Sequence, residues 1–510
     1  MSTLVCGLRP TVIVCVACAS SFSVLLGYDI GIMSSAKRLI ADDFSLDEGQ
    51  VSVLVGILNI VSGLGGALSG RLADSMGRRP TAACACIITL GGALLMSMAP
   101  GYGALLAGRT ITGVGVGFCF HVAPLYLAEI SPKGIRGKLT SFFDLFINVG
   151  ILLGFIVGWA LTPAGGPSME VHQRAISAWR VMLGLGALPP LLILLSLGWL
   201  PESPRFLVAS GRDAEARAVL HRIYAADEAE QLIASLGEER RQTKPLSLCA
   251  GLRRVFLPAR GAPRAMILAG MGCAFFQQAT GVEAAVYYTP ETLEAAGIHD
   301  ENMLQLATVG VGVVKVAFIV LAACLIERVG RVRLLLVSTA LIGFAQLLLG
   351  LSFSIGTRQV GLALTGQLLF MAAFSIGAGP CSMLVASELF PLQVRGFALG
   401  VATLLNRTTS GTVAISFLSL SRALTPAGAY FLFVGLAAVA FAFIRTLVPE
   451  TQGKSLEEIE REMSERYTVT TTLLGAGRRS SCTELALAGG NAEIDAPGSR
   501  GDADHHHDRV

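Results

Sequence analysis

Long apolar runs, broken by short polar stretches, set the pattern of this chain. A membrane-spanning helix needs ~20 mostly apolar residues. About twelve stretches meet that rule: roughly 10–33, 50–72, 81–99, 103–129, 134–160 and 178–200, then 264–289, 303–326, 332–353, 358–387, 395–420 and 426–447. The two groups of six flank a polar segment, 201–262, in which Ala214, Ala218, Leu220 and Ile223 stand among charges and predict short amphipathic helices. After 448 the chain turns polar again. Ser455-Leu-Glu-Glu-Ile-Glu predicts a capped helix within 448–466, and the Gly-, Ala-, Ser- and Asp-rich stretch 467–510 predicts disorder. The expected divisions are a six-helix bundle over 1–200, a cytoplasmic helical linker over 201–262, a second bundle over 263–448, and a cytoplasmic helix with a tail over 449–510.

The two groups repeat one another, about 250 residues apart. Glu129-Ile-Ser-Pro132-Lys-Gly-Ile-Arg136-Gly137 returns as Glu388-Leu-Phe-Pro391-Leu-Gln-Val-Arg395-Gly396. Gly77-Arg78 returns as Gly330-Arg331, and Pro201-Glu202 as Pro449-Glu450. A duplicated apolar unit predicts an all-α membrane protein of two pseudo-symmetric six-helix bundles. A site between such bundles can open to one side and then to the other.

Composition sharpens this. The chain is 53% hydrophobic and 15% charged, with a mean hydropathy of +0.64, beyond the range of soluble globular domains. The net charge of +3 points to no partner, and no nucleic acid is expected. The distribution of charge says more. Arg71, Arg78, Arg79, Lys133, Arg136, Lys138, Arg253, Arg254, Arg328, Arg331 and Arg333 fall in alternate loops, whereas Asp42, Asp43, Asp47, Glu48, Asp300 and Glu301 occupy the others. Basic loops stay cytoplasmic, so both termini are expected inside. The first apolar run is too long for a signal peptide and holds Asp29, so it is expected to remain as a helix. Cysteine spacing suggests neither a disulfide framework nor a zinc site. The tail histidines His505 to His507 and the Arg478-Arg479-Ser480-Ser481 stretch read as solvated tail.

Charged groups inside spans are costly and usually face a cavity or a partner. Asp29, Arg109, Asp144, Glu283, Lys315 and Arg407 lie within the predicted spans. Asp29 on the first span and Arg109 on the fourth are expected at similar depth, near the outer side. They pair either as a proton site or as a static structural bridge. Asp144, Glu283 and Lys315 lie on the fifth, seventh and eighth spans. Lys315 needs a counter-ion, with Glu283 or Asp144 expected close by. Gln277 and Gln278 offer paired donors and acceptors suited to ligand hydroxyls, and Gly281 permits the helix to break beside them. Gly377-Ala378-Gly379-Pro380 is expected to kink the tenth span. Asp74, Arg78, Glu129, Arg136, Glu327, Arg331, Glu388 and Arg395 form repeated sets at cytoplasmic helix ends. Ion pairs between the two halves on this face are expected to hold the carrier open to the outside and to break in each cycle. No His cluster, catalytic carboxylate pair or nucleophile with a base occurs in the spans, which disfavours an enzyme and implies no cofactor.

Gly70-Arg-Leu-Ala-Asp74-Ser-Met-Gly77-Arg78-Arg79, Pro201-Glu-Ser-Pro-Arg205, Gln277-Gln278-Ala-Thr-Gly281 and Pro449-Glu-Thr-Gln-Gly453 together resemble the sugar-porter branch of the major facilitator superfamily, over roughly 10–465. The resemblance implies two six-helix bundles with the sugar between them, and substrate contacts by Gln277, Gln278 and Asn406. It implies that Asp29 accepts the proton in coupled members, with Arg109 as its partner. Acids at 144 and 283, Lys315 and Asn406-Arg407 resemble plant polyol and monosaccharide transporters. Met383 stands where the family usually has a tryptophan. The expected protein is therefore a plasma-membrane symporter of protons with linear polyols or monosaccharides. A proton-independent facilitator and a non-transporting sugar sensor are the alternatives.

Overall fold

The computed structural model describes residues 10–131, 136–162, 169–224, 226–242, 248–258, 261–355, 359–391, 393–454 and 458–465, with side chains 10–14, 19, 136–142, 169–176, 226, 239–242, 248 and 262 outside the description. The tail 467–510, its histidines and Ser455 therefore lie outside the described residues.

The N-terminal half supplies α1 (Pro10–Phe44), α2 (Glu48–Met76), α3 (Arg78–Ser97), α4 (Tyr102–Ile130), α5 (Arg136–Leu161), and a sixth pass built from α6 (Met169–Leu185) and α7 (Leu188–Ser196). The linker carries α8 (Pro204–Ala209), α9 (Asp213–Ile223), α10 (Ala226–Gln242) and α11 (Leu248–Phe256). The C-terminal half begins with a broken pass: α12 (Ala262–Ala279), α13 (Val282–Tyr287) and α14 (Thr289–Ala295). It continues with α15 (Glu301–Val329), α16 (Arg331–Ser354), α17 (Val360–Ala373), α18 (Gly379–Leu389) and α19 (Arg395–Leu447). Among the described residues, 11 helical stretches are long and apolar enough to cross a membrane. α19 doubles back at Thr425, where φ is 68°, and so supplies two passes. The proline that follows Thr425 disfavours continued helix there, and the Thr425 hydroxyl accepts from Gly428 N at 3.2 Å to start the next segment.

Caps repeat with the duplication. Asp47 accepts from Gln50 N at the start of α2, and Asp300 from Met303 N at the start of α15, both at 2.7 Å. These acids were read as loop charges, and each satisfies an amide left open by the first helical turn. At the other end of the molecule, Glu202 accepts from Arg78 N (2.8 Å) and Arg79 N (3.1 Å), where α3 begins. Glu450 does the same for Arg331 N (3.0 Å) and Val332 N (3.2 Å) of α16. A carboxylate at a helix N-terminus meets both its free amides and its dipole. Gly77 and Gly330 precede these helices at φ of 101° and 105°, a region L side chains rarely adopt. A Cβ on either would also lie within 3.0 Å of its capping carboxylate.

Small residues bring helices together. A Cβ on Gly27 would stand 1.9 Å from the Ile147 carbonyl oxygen, so α1 lies directly on α5. Across the halves, Gly56 of α2 and Gly411 of α19 are reciprocal, each with its would-be Cβ 2.7 Å from the other's carbonyl oxygen. Without a hydrophobic drive between helices in lipid, such close contacts supply the packing energy. The outer surface is apolar, with Leu192, Leu195, Val313 and Val439 all exposed, while Asp29, Arg109, Gln277, Gln278, Glu283, Lys315 and Asn406 are buried. This reverses a soluble protein and fits hydrocarbon outside.

The first helix departs from expectation. The sequence reading ends it near 33, whereas helix continues to Phe44 and carries Lys37, Arg38, Asp42 and Asp43. The hydropathy rule stops at charges because it takes them to face lipid or water. Here Lys37 is buried against the other half.

Candidate functional site

In the N-terminal half the interior is held by one ion pair. Arg109 Nη1 donates to both oxygens of Asp29, at 2.8 and 2.9 Å. Arg109 Nε donates to the Leu54 carbonyl of α2 at 3.2 Å, so the pair ties α1, α2 and α4 together. Arg109 is fully buried and Asp29 nearly so. Asp29 lies near the middle of α1 rather than at its outer end, because the helix extends beyond the apolar run. Five residues along α2 from Leu54, Asn59 Nδ2 reaches the Tyr287 hydroxyl of α13 at the 3.5 Å limit of a hydrogen bond. Asp29 and Arg109 also act electrostatically on Tyr287. The charge pair is thus in touch with the opposite half.

The C-terminal half is built on broken helices. α12 ends at Ala279, and Gly281 takes a left-handed φ of 88° before α13. The break frees backbone carbonyls, and side-chain amides satisfy them. Gln346 Nε2 donates to the Thr280 carbonyl at 2.6 Å, and Gln367 Nε2 to the Ala285 carbonyl at 2.8 Å. Neither glutamine was singled out from sequence, although each is an amide in an apolar span, the same signal that marked Gln277. The tenth pass is interrupted by a π-helical turn, Phe374–Ala378, one turn before the expected proline kink. Ser338 bridges it, donating to the Ala373 carbonyl at 2.6 Å and accepting from Ala378 N at 2.8 Å.

The candidate substrate amides gather on this frame. Gln277 Nε2 donates to the Ala378 and Gly379 carbonyls at 3.1 and 2.7 Å. Asn406 Nδ2 donates to Gln277 Oε1 at 2.8 Å, and Gln278 Nε2 donates to Asn406 Oδ1 at 3.3 Å. Arg407 Nη2 donates to that same Asn406 oxygen at 2.8 Å and lies over the Phe120 ring of α4, 5.1 Å from its centroid. Gln278 Oε1 is buried and accepts no hydrogen bond from the protein. Glu283 Oε1 accepts from Ser410 Oγ at 2.9 Å. Asp144 is half-buried on α5. Met383 is half-buried on α18 and packs beside the cluster of Phe390 and Ala386.

One expectation is corrected. Lys315 has no carboxylate among the described ion pairs. Its ammonium lies 5.8 Å from the Phe374 ring centroid, and Glu283 acts on it only at longer range. The repeated cytoplasmic sets, expected to pair across the halves when the carrier is open to the outside, do not meet across them in this structure, which is closed at the other end. Arg78 instead pairs within its own half, through Nε and Nη2 to Glu129 at 2.9 and 2.8 Å, with Asp74 at 3.5 Å. Arg331 pairs with Glu388 at 3.2 Å, again within one half. Arg395 Nε donates to the Phe390 carbonyl at 3.3 Å, and Glu327 offers its backbone carbonyl to Gln452. The Arg136 side chain lies outside the described residues. Arg78 also donates through Nη1 to the Ala73 carbonyl at 2.8 Å.

The halves are bridged at the opposite end. The ion pairs linking them among the described residues are Lys37–Glu291 at 2.8 Å, Arg38–Glu294 at 2.9 Å, Arg38–Glu301 at 3.5 Å, and Glu48–Arg422. Ser35 Oγ donates to Gln305 Oε1, and Trp159 Nε1 to Asn302 Oδ1, both at 2.7 Å. The molecule is therefore closed at the end of the acidic loops.

Against this geometry stand the comparisons with known proteins. The family described as Sugar (and other) transporter matches residues 14–463. The chain is 43% identical over 458 residues to the probable polyol transporter 4 of Arabidopsis thaliana, covering 89% of this chain and 85% of that protein. It is 38% identical over 472 residues to polyol transporter 5 of the same plant, covering 88% and 86%. Among solved structures it is similar to the inward open conformation of the xylose transporter XylE from E. coli, with a TM-score of 0.75 and 26% identity over 89% of this chain and 100% of that one. It is similar also to the proton:xylose symporter XylE bound to 6-bromo-6-deoxy-D-glucose, with a TM-score of 0.75 and 26% identity over 89% and 99%.

Proposed function

We propose that this chain, which belongs to the sugar-porter family of the major facilitator superfamily and is similar to plant polyol transporters, imports linear polyols or monosaccharides together with protons. It is a multi-pass membrane transporter and not an enzyme. We infer further that it lies in the plasma membrane with both termini in the cytoplasm.

The observation that carries coupling is the sealed Asp29–Arg109 pair and its reach to Tyr287. An opposite charge nearby holds a carboxylate ionised, and a carboxylate parted from it takes up a proton more readily. A proton entering from outside releases Arg109 from Asp29. The change passes along α2 to the broken seventh pass. Substrate binding and proton binding then favour the same closed state, which is the differential affinity a population shift requires. The membrane potential adds ~2.3 kcal/mol per charge per 100 mV to drive accumulation.

The recognition surface supports a polyhydroxylated substrate. Gln277, Gln278 and Asn406 present amide donors and acceptors side by side, and each hydroxyl of a polyol is both donor and acceptor. Glu283, Asp144 and Lys315 extend the polar lining. An acid and a lysine held apart can each hydrogen-bond a hydroxyl, whereas a closed ion pair would spend both on each other. The relatives named as polyol transporters and the neighbour named as a proton:xylose symporter support the same class.

Uptake of labelled sorbitol and glucose in cells lacking native carriers tests this directly, at several external pH values and with a protonophore. Accumulation above equilibrium that collapses with the protonophore is the expected result. Uptake that only equilibrates, at any pH, makes the protein a facilitator. Binding without flux makes it a sensor.

A further inference from the structure

Lys37 sits eight residues beyond Asp29 on α1, is almost fully buried, and has no role in the proton or substrate sites described above. Its ammonium donates to the Tyr287 carbonyl at 2.5 Å and to Glu291 Oε2 at 2.8 Å, and lies 3.9 Å from the centroid of the Tyr288 ring. All three partners belong to the other half and follow the break at Gly281. We propose that Lys37 is the positioning residue of the outer gate: it clamps α1 to the broken seventh pass and so sets the balance between externally closed and externally open carrier.

The case rests on how the groups are satisfied. An ammonium has three N–H donors and no acceptor. In the closed arrangement a carbonyl, a carboxylate and an aromatic face surround it. Opening the outer side separates Lys37 from all three at once. Glu291 is different, because its side chain is 30% exposed and keeps contact with water. The neighbouring bridges are weaker clamps. Arg38 with Glu294 and Glu301, and Arg422 with Glu48, are far more exposed, and exposed pairs contribute little. Lys37 is the buried member, so in the closed state the loss of its partner strands a charge away from water, which none of the exposed pairs would do. The location matters too, since Tyr287 and Tyr288 themselves are sealed, with the Tyr288 hydroxyl donating to the Ala414 carbonyl of α19 at 2.9 Å. Clamping this turn closes the lid over the amide cluster. The proposal rests on the chain being a carrier whose Lys37 end faces outward, and needs neither proton coupling nor a particular substrate.

The test uses the full-length carrier bearing Ser52→Cys, in intact cells, with a membrane-impermeant thiol reagent. Ser52 is buried on α2, one turn from Glu48. The carrier without that substitution gives the background from native cysteines. Glu291→Gln leaves a buried cation without its counter-ion, and is expected to raise the labelling rate about tenfold or more. Lys37→Met removes the charge and is expected to raise it less. Lys37→Met with Glu291→Gln leaves no unpaired charge, and is expected to label more slowly than Glu291→Gln alone. Lys37→Arg, which keeps the charge, controls for folding and is expected to label near the parent rate. A parental rate in Glu291→Gln, or a double variant that labels as fast as Glu291→Gln or faster, overturns the proposal. Either outcome leaves the Asp29 reading standing, since labelling reports gate position and not coupling.

Discussion

At the arginine-rich end the two halves repeat each other group for group. Gly77 answers to Gly330, Arg78 to Arg331, Glu129 to Glu388, and the capping Glu202 to Glu450. In the interior they part. The N-terminal half holds one charge pair among helices that run unbroken past it. The C-terminal half is interrupted at Gly281 and at the π turn, and fills the gaps with amides. Duplication has thus preserved what anchors each bundle and changed the interior of each. Charge needs a rigid frame, because the geometry of a buried pair decides whether it is tolerable. Backbone groups freed by a broken helix must be satisfied within the protein, and in this half side-chain amides do so.

The sharpest way to break this division is Asp29→Asn. It is expected to abolish accumulation above equilibrium while substrate exchange persists, read as the steady-state ratio of labelled polyol inside to outside. Normal accumulation in the variant moves coupling out of the N-terminal half. Gln278→Ala probes the other side. Loss of its hydrogen bonds to a hydroxyl is expected to raise KM roughly tenfold, equivalent to ~1.4 kcal/mol, with the pH dependence of uptake unchanged. A shifted pH profile would mean that recognition and coupling are not divided between the halves. The smallest effect concerns the repeated anchors. Arg78 grips Glu129 through two nitrogens, both side chains being nearly buried, whereas Arg331 holds Glu388 through one nitrogen at 3.2 Å in a more open setting. Lysine cannot reproduce a two-nitrogen grip. Arg78→Lys is therefore expected to cost on the order of 1–2 kcal/mol of detergent-solubilised stability, and Arg331→Lys under about 1 kcal/mol. Equal losses would show that the two anchors carry equal load.

Much of the site was legible because membrane insertion makes polar residues conspicuous. Asp29, Arg109, Gln277, Gln278, Glu283 and Lys315 stand out from apolar surroundings by type alone. Gly281 was legible as a break because it follows two amides. What escaped was partnership. The acids near Lys315 were visible, but nothing local shows that Ser410 takes Glu283. The duplicated Glu-to-Arg spacing was equally visible, and the structure adds that in this state Arg78 and Arg331 each pair within their own half. Lys37 and Arg38 were lost entirely, because charges following an apolar run read as loop.

Local chemistry by itself determined the helical passes, their duplication and the set of polar groups that must avoid lipid. Hydropathy, capping and propensity act over a few residues, and so they can be read along the chain. Tertiary structure alone decided that α1 continues to Phe44, that Arg78 stays within its half, and that the halves join through Lys37. Those outcomes follow from distances between groups far apart in sequence, where a few ångströms separate a satisfied ion from an unpaired one.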